Sequence, residues 1–402
     1  MAEKMHQTQE NVDRIDLSIA NNEESYDPFL NRPDGPKISD LDAFFHIMKI
    51  AVTSGVLLLP NSFRKTGYVT SIICGLLTGL IYMHTSIVLV QCAQALCRYH
   101  RLPKLDFAET VEVSFLTGPK RTRRYGKAFG IFTNVVTCFI HYKEVVVYIL
   151  YVASSFKQVI EYITKTILDI RIYVIIFFPI YSCLILIPNL NYLMPFSTLG
   201  TIIFIIGMVI CMIYFIEDFP SPKRLDPFTN IQSITIFVNI FFYTLHNVTI
   251  LLPLENTMHK PNNLTRLIII STIFNTLIYI VFAFLGYNKY KDTCDIVIKN
   301  LPLDEVLSEF VKIGIAVSIL FTIPINYIIP VTIIWPVIMN VTGVDGRYEI
   351  IFRMAGITIT SKSNSIFKRN EKNKKSCGKH TQNKIIKKKE INRKKKKKKK
   401  KT

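Results

Sequence analysis

This 402-residue sequence lacks the residue patterns that hydrolytic and nucleotide-driven chemistry requires. No His-Glu-x-x-His pair is present to hold zinc, no nucleophile elbow is evident, and no Walker loop is present to cradle a phosphate. Those absences speak against a metallopeptidase, a serine hydrolase and an ATP-driven pump, so neither an enzyme nor a cofactor is expected. Of eight cysteines, Cys74, Cys92, Cys138, Cys183 and Cys211 lie in or at the ends of apolar runs without metal-type spacing, and read as packing residues. Cys294 has no cysteine to pair with in the loop between the third and fourth apolar runs, so a disulfide is not expected. The first 38 residues lack an apolar core, which argues against a cleavable signal, and up to Asp40 they hold nine Asp/Glu against four Lys/Arg. That arm, 1–38, reads as a disordered acidic segment.

What the chain has in abundance is apolar sequence. Half of its residues are hydrophobic and its mean hydropathy is +0.29, more than a dissolved chain of this length could cover. Runs long enough to cross about 30 Å of hydrocarbon occupy 43–63, 68–92, 128–156, 171–190, 193–216, 234–254, 265–286 and 310–338, and 351–360 begins a ninth. The expected class is therefore an all-α, polytopic membrane protein with about eight complete spans and an incomplete ninth.

The net charge of +20 suggests nucleic acid until its location is considered. Residues 361–402 hold twenty Lys/Arg and two Glu, so nearly all the excess lies in that tail. No base-reading motif accompanies it. A polylysine end such as Lys394–Lys401 suits the anionic inner leaflet, at about 1 kcal/mol per basic residue; a low-complexity terminus without function is the other reading. The connection between the second and third runs carries Arg98, Arg101, Lys104, Lys120, Arg121, Arg123, Arg124 and Lys127. The positive-inside rule puts that loop in the cytosol, and parity then puts both termini there. Parity also makes the glycosylation-type triplets at Asn263 and Asn340 cytosolic, hence unused.

Two apolar runs break alike, 193 residues apart: Val52-Thr53-Ser54-Gly55-Val56-Leu57-Leu58-Leu59-Pro60 and Leu245-His246-Asn247-Val248-Thr249-Ile250-Leu251-Leu252-Pro253. Interrupted spans at matching places point to a midplane binding site, because backbone without helical partners survives in a membrane only beside ligand, ion or water. Unwound turns there offer N–H groups to a carboxylate and carbonyls to an ammonium, which suits an amino acid. A kink at Pro60 without any ligand is the simpler alternative. Three residues apart in the first run, His46 and Lys49 share a helical face. An intramembrane histidine can hold a coupling proton, or can sit inert near the mouth with Lys49 snorkelling. Lys143 and Glu144 interrupt the third run near its centre, as an intramembrane charge pathway in one long helix or as a locally broken segment.

With those residues, the chain resembles the proton-coupled members of the amino acid/auxin permease family from about Leu41 to Thr360. The resemblance is carried by His46 with Lys49 and the stretch to Pro60, Leu89-Val90-Gln91-Cys92 with Leu96-Cys97, and Pro195-Phe196-Ser197. Asp218-Phe219-Pro220-Ser221, Leu251-Leu252-Pro253-Leu254-Glu255-Asn256, Asn300-Leu301-Pro302-Leu303 and Arg347-Tyr348 leading to Arg353 extend it. It implies a leucine-transporter-like inverted repeat of eleven spans, with 39–360 as the transporter domain and the C-terminal spans truncated before the tail at 361–402. It further implies secondary transport of small neutral amino acids with a proton, at the plasma or lysosomal membrane. His46 falls on the family's proton-sensing histidine, and Thr53, Ser54, Gly55, Tyr243, His246, Asn247 and Thr249 flank the expected substrate. Departures are visible too. Ile50-Ala51-Val52-Thr53-Ser54-Gly55 keeps only the last glycine of the usual first-helix motif, and Val248 and Thr249 are β-branched where the family is flexible. Lys143 and Glu144 occupy positions the family leaves uncharged. Those departures keep a non-transporting amino acid sensor or scaffold as the alternative.

Overall fold

The computed structural model describes residues 26–32, 37–51, 54–166, 168–187, 190–217, 219–245, 248–302, 305–343 and 345–367. The acidic arm before residue 26 and the basic tail beyond 367 lie outside them. Among the described residues the regular structure is helical, with one isolated parallel bridge between Ile38 and Met258. The protein is an all-helical, multi-pass membrane protein. Among the described residues six stretches are long and apolar enough to cross a bilayer: Tyr68–Tyr99, Gly126–Thr164, Thr198–Ile216, Gln232–Thr257, Pro261–Lys289 and Val306–Thr342. Ile170–Ile185 is apolar but shorter, and the expected first span is not a single helix.

In chain order the helices are α1 (Asp40–Ala51), α2 (Leu59–Thr66), α3 (Tyr68–Tyr99), α4 (Phe107–Thr117), α5 (Gly126–Thr164) and α6 (Ile170–Ile185). There follow α7 (Leu190–Ile216), α8 (Gln232–Leu245), α9 (Val248–Thr257), α10 (Leu264–Lys289), α11 (Val306–Thr342) and α12 (Glu349–Phe367). Between α1 and α2 the chain makes a 3₁₀ helix, Ser54–Leu58. Pro60 accounts for that change. It has no N–H for the Val56 carbonyl and its ring crowds that oxygen, so the tighter 3₁₀ pattern precedes it, while Pro60 itself fits the first turn of α2. Gly67 then ends α2 at φ +93°, where a Cβ would fall 2.5 Å from the Pro227 carbonyl oxygen.

The chain divides into two compact units. The first comprises Met1–Met48, Leu80–Val136 and Asn247–Ile273; the second comprises Lys49–Gly79, Thr137–His246 and Phe274–Thr402. One of the boundaries, 246/247, falls in the second of the segments whose sequence breaks alike.

Within the first unit, Ala43 and Ile47 of α1 pack with Val90 and Ala93 of α3, Leu251, Leu252 and Leu254 of α9, and Leu264 and Ile268 of α10. Residues 37–40 are stitched to the chain after α9. Ile38 donates to the Thr257 carbonyl at 2.8 Å, His259 donates back to Ile38 at 3.0 Å, and Asn263 Nδ2 donates to Asp40 at 2.6 Å.

Within the second unit, α11 lies along α7. Small residues let the two approach: a Cβ on Gly207 would meet Ile315 at 2.7 Å, and Ser318 Oγ donates to the Gly200 carbonyl. Close small-residue contacts replace the hydrophobic drive that lipid does not supply between helices. Phe63 of α2 stacks edge-on with Phe237 of α8, which neighbours Phe241. The loop after α10 covers α2, with Asn61 Nδ2 donating to Asp295 at 3.2 Å. Cys294 in that loop is disulfide-bonded, contrary to the expectation drawn from loop cysteines alone, which weighed one neighbouring loop and not the whole chain. Outward faces carry large apolar side chains such as Leu77, Ile81, Ile206, Val209, Ile213 and Val281, each more than 45% exposed. Lipid is the medium that suits them.

Candidate functional site

The second unit gathers five of the residues singled out in the sequence: Ser54, Gly55, Tyr243, Lys143 and Glu144. Gly55 lies against the last turn of α8, where a Cβ would stand 2.7 Å from Thr244 Oγ1 and 3.1 Å from both Thr244 Cα and Tyr243 Cδ1. Only glycine lets the 3₁₀ segment come this close. Ser54 is buried beside it. Tyr148 of α5 and Tyr243 of α8 turn their hydroxyls toward each other and toward Ser54. Even so, Ser54 Oγ and Tyr243 Oη are buried with no hydrogen bond of normal length and angle. Such an orphan costs about 1–3 kcal/mol, and native proteins keep few unless a ligand or water completes them.

Helix α5 runs unbroken through Lys143 and Glu144 for 39 residues, which resolves the sequence alternatives in favour of one long helix. At 1.5 Å per residue it is about 58 Å long, so this charged pair lies well inside it. His141, Glu144 and Tyr148 stand three and four residues apart and share one face. His141 Nδ1 lies 3.1 Å from Asn326 Oδ1 of α11 and 3.8 Å from the Glu144 carboxylate. The amide oxygen accepts only, so the Nδ1 position carries the hydrogen. Glu144 and His141 are buried, at 4% and 3% exposure. Lys143, on the adjoining face, holds its ammonium 5.1 Å from the centre of the Tyr243 ring, within cation–π range. Behind these groups Tyr142 meets Tyr327 edge-on, and Tyr327 donates to the Arg353 carbonyl at 2.7 Å. His141, Tyr148 and Asn326 were not foreseen. The signal for the first two was present as polar residues at helical spacing with Glu144.

The first unit holds His46 and Thr249. His46 is half-buried in α1, one turn beyond Asp42, whose carboxyl is held below its usual range chiefly by the Ser39 hydroxyl. Thr249 is half-buried in the first turn of α9. Thr53, His246 and Asn247 lie outside the described residues, as does the Lys49 side chain.

The first unit also contains a buried ion pair. Arg32 Nη2 lies 3.6 Å from Glu255 Oε2, with side-chain exposures of 7% and 4%. Arg32 donates as well to the backbone carbonyls of Glu255 (2.8 Å) and Pro103 (3.2 Å), and lies over the Phe29 ring at 4.7 Å. Gln94 Nε2 donates to the other Glu255 oxygen. Short segment 26–32 is thereby tied to the end of α9. In α4, between the second and third spans, burial raises the Glu112 carboxyl above its usual range against the pull of Lys127. Among the described residues no group of three or more His, Cys, Asp or Glu side chains could hold a metal ion.

Residues 36–400 match the family model described as transmembrane amino acid transporter protein. The chain is 29% identical over 342 residues to a proton-coupled amino acid transporter-like protein of Drosophila melanogaster, an alignment covering 82% of this chain and 70% of that relative. It is 25% identical over 300 residues to an amino acid transporter of Arabidopsis thaliana, covering 72% of this chain and 67% of the relative.

Proposed function

Because the chain belongs to the family of transmembrane amino acid transporter proteins, we propose that it is a secondary carrier that moves a small neutral amino acid together with a proton. The observation that supports this most is the cluster of buried hydroxyls on Ser54, Tyr148 and Tyr243 beside Gly55 in the 3₁₀ segment, of which Ser54 Oγ and Tyr243 Oη make no hydrogen bond of normal length and angle. A zwitterion could complete them, with its carboxylate accepting from the hydroxyls and its ammonium meeting polar oxygens nearby. In this proposal a role in substrate recognition for Thr53, His246, Asn247 and Thr249 rests on the sequence resemblance, and His46 sets the pH at which the carrier operates. A proton brings one charge, worth about 2.3 kcal/mol per 100 mV, or roughly fifty-fold accumulation. No nucleotide is needed for that. The basic tail is proposed to lie on anionic lipid.

The test is uptake of labelled alanine or proline by proteoliposomes containing the full chain, with and without an inward proton gradient. Gradient-dependent accumulation is expected. Specific binding of the amino acid without uptake or exchange would instead mark a sensor that kept the fold and lost turnover.

A further inference from the structure

We propose that the coupling proton is bound by Glu144 together with His141, and that Lys143 passes the resulting change in charge to Tyr243 at the end of α8. This rests on the carrier reading above and names the group within it that carries the ion.

Three ionisable residues within four positions of an apolar helix are costly. Each such group at mid-membrane costs on the order of 2.5–3.5 kcal/mol unless it is paired or lines a polar path. Here they are arranged about one another and about the candidate substrate groups. Glu144 faces His141 at 3.8 Å on its own helix, with Lys143 on the adjoining face and the hydroxyls of Tyr148 and, from α8, Tyr243 beyond it. From α11, Asn326 orients the imidazole at 3.1 Å. Every titratable neighbour in this cluster except Lys143 is neutral or acidic in its ordinary state.

Charge counting explains how the cluster would couple. With His141 neutral, Lys143 and Glu144 cancel. When hydronium in the aqueous phase gives a proton to the carboxylate or the imidazole, its O–H bond breaks, a new O–H or N–H bond forms, water is released, and the cluster carries one positive charge. The Lys143 ammonium then loses its balancing anion and is drawn to the nearest negative charge or π face. The Tyr243 ring is already 5.1 Å away, and Tyr243 Oη is one of the buried hydroxyls that make no hydrogen bond of normal length and angle. An amino acid carboxylate bound there faces a cluster that prefers the protonated state. By linkage, proton and amino acid must then raise each other's affinity by the same factor. Release of the proton on the other side restores the neutral cluster and weakens the hold on the substrate. In this proposal His46 is given no part in the exchange and tunes the pH response separately.

The experiment uses the purified full chain, with Glu144→Gln and His141→Asn as near-isosteric variants and alanine as the probe. Two readouts are taken: proton uptake on adding alanine in weakly buffered detergent, followed with a pH dye, and alanine counterflow against gradient-driven accumulation in proteoliposomes. Wild type is expected to take up protons on binding alanine, and to bind it at least tenfold more weakly as pH rises from about 5.5 to 7.5. E144Q should take up no proton, bind alanine independently of pH, keep counterflow and lose accumulation. Proton uptake and accumulation at wild-type levels in E144Q would overturn the proposal. Should E144Q fail to bind alanine at all, H141N decides: undiminished proton uptake there overturns the proposal, and reduced uptake supports it. A wild-type protein that neither binds nor exchanges alanine removes the carrier reading and this one with it, whereas counterflow without a Glu144 effect removes this one alone.

Discussion

Replacing Arg32 by alanine should loosen the stitching of residues 37–40 onto the end of α9 by a large and calculable amount. The Glu255 carboxylate, 4% exposed in its side chain, would keep the Gln94 hydrogen bond but lose its only ion-pair partner in the described structure, and the carbonyls of Glu255 and Pro103 would lose donors. Removing one member of a buried pair costs about 3–5 kcal/mol, because the remaining charge stays in a poor dielectric. Loss of the Phe29 contact adds about 0.5–1 kcal/mol. At 1.4 kcal/mol per factor of ten, local opening should become roughly three hundredfold to twenty thousandfold more frequent. Amide hydrogen exchange reads this where it matters, at the Ile38 and His259 N–H groups that bond across to Thr257 and back. Arg32→Lys, which keeps the charge but not the planar fork, should fall between. In the double variant R32A/E255Q the two losses should be markedly less than additive, since the stranded charge is gone. Protection of Ile38 and His259 within tenfold of wild type in R32A would refute the reasoning, as would full additivity in the double variant.

Tyr243→Phe removes a buried hydroxyl that makes no hydrogen bond of normal length and angle, so its melting temperature should be unchanged or slightly higher while alanine affinity falls about tenfold; a marked loss of stability with intact affinity would mean that the hydroxyl serves the fold. His46→Ala should shift the pH of half-maximal uptake or flatten the response near neutrality while leaving gradient-driven accumulation in place, and an unmoved midpoint excludes a sensing role. Glu112 has a folded-state pKa raised by burial, so its contribution to stability is full below the unfolded value and is lost as pH rises through the folded one. Melting curves of Glu112→Gln should therefore lack that decline just above the ordinary glutamate range, and a decline identical to wild type would count against the assignment.

Much of the framework was legible in the sequence because membrane insertion is judged locally. About twenty consecutive apolar residues suffice for a span, whatever the rest of the chain does. Composition and run length were enough to identify a multi-pass, all-helical protein, and ordered motifs from His46 to Arg353 were enough to suggest the transporter family. They also located Pro60 and Gly55, whose effects act over a few residues, and the charge of Lys143 and Glu144 within the third span. The count of about eight spans rested on run length, which cannot distinguish a straight helix from one that passes into a 3₁₀ turn at Ser54; the small residues and Pro60 carried that signal.

Tertiary structure alone decided which polar groups meet. His141 finds Asn326 across 185 residues of sequence, Arg32 finds the Glu255 carbonyl across 223, and Gly55 presses on Thr244 from a segment far away in the chain. A helical periodicity could say that His141, Glu144 and Tyr148 share a face, but not what that face looks upon. The free energy of crossing a membrane is nearly additive along the chain and can therefore be summed from a string of letters. A contact between distant side chains exists only after helices have packed, where a shift of one turn in register would replace each of those partners with another.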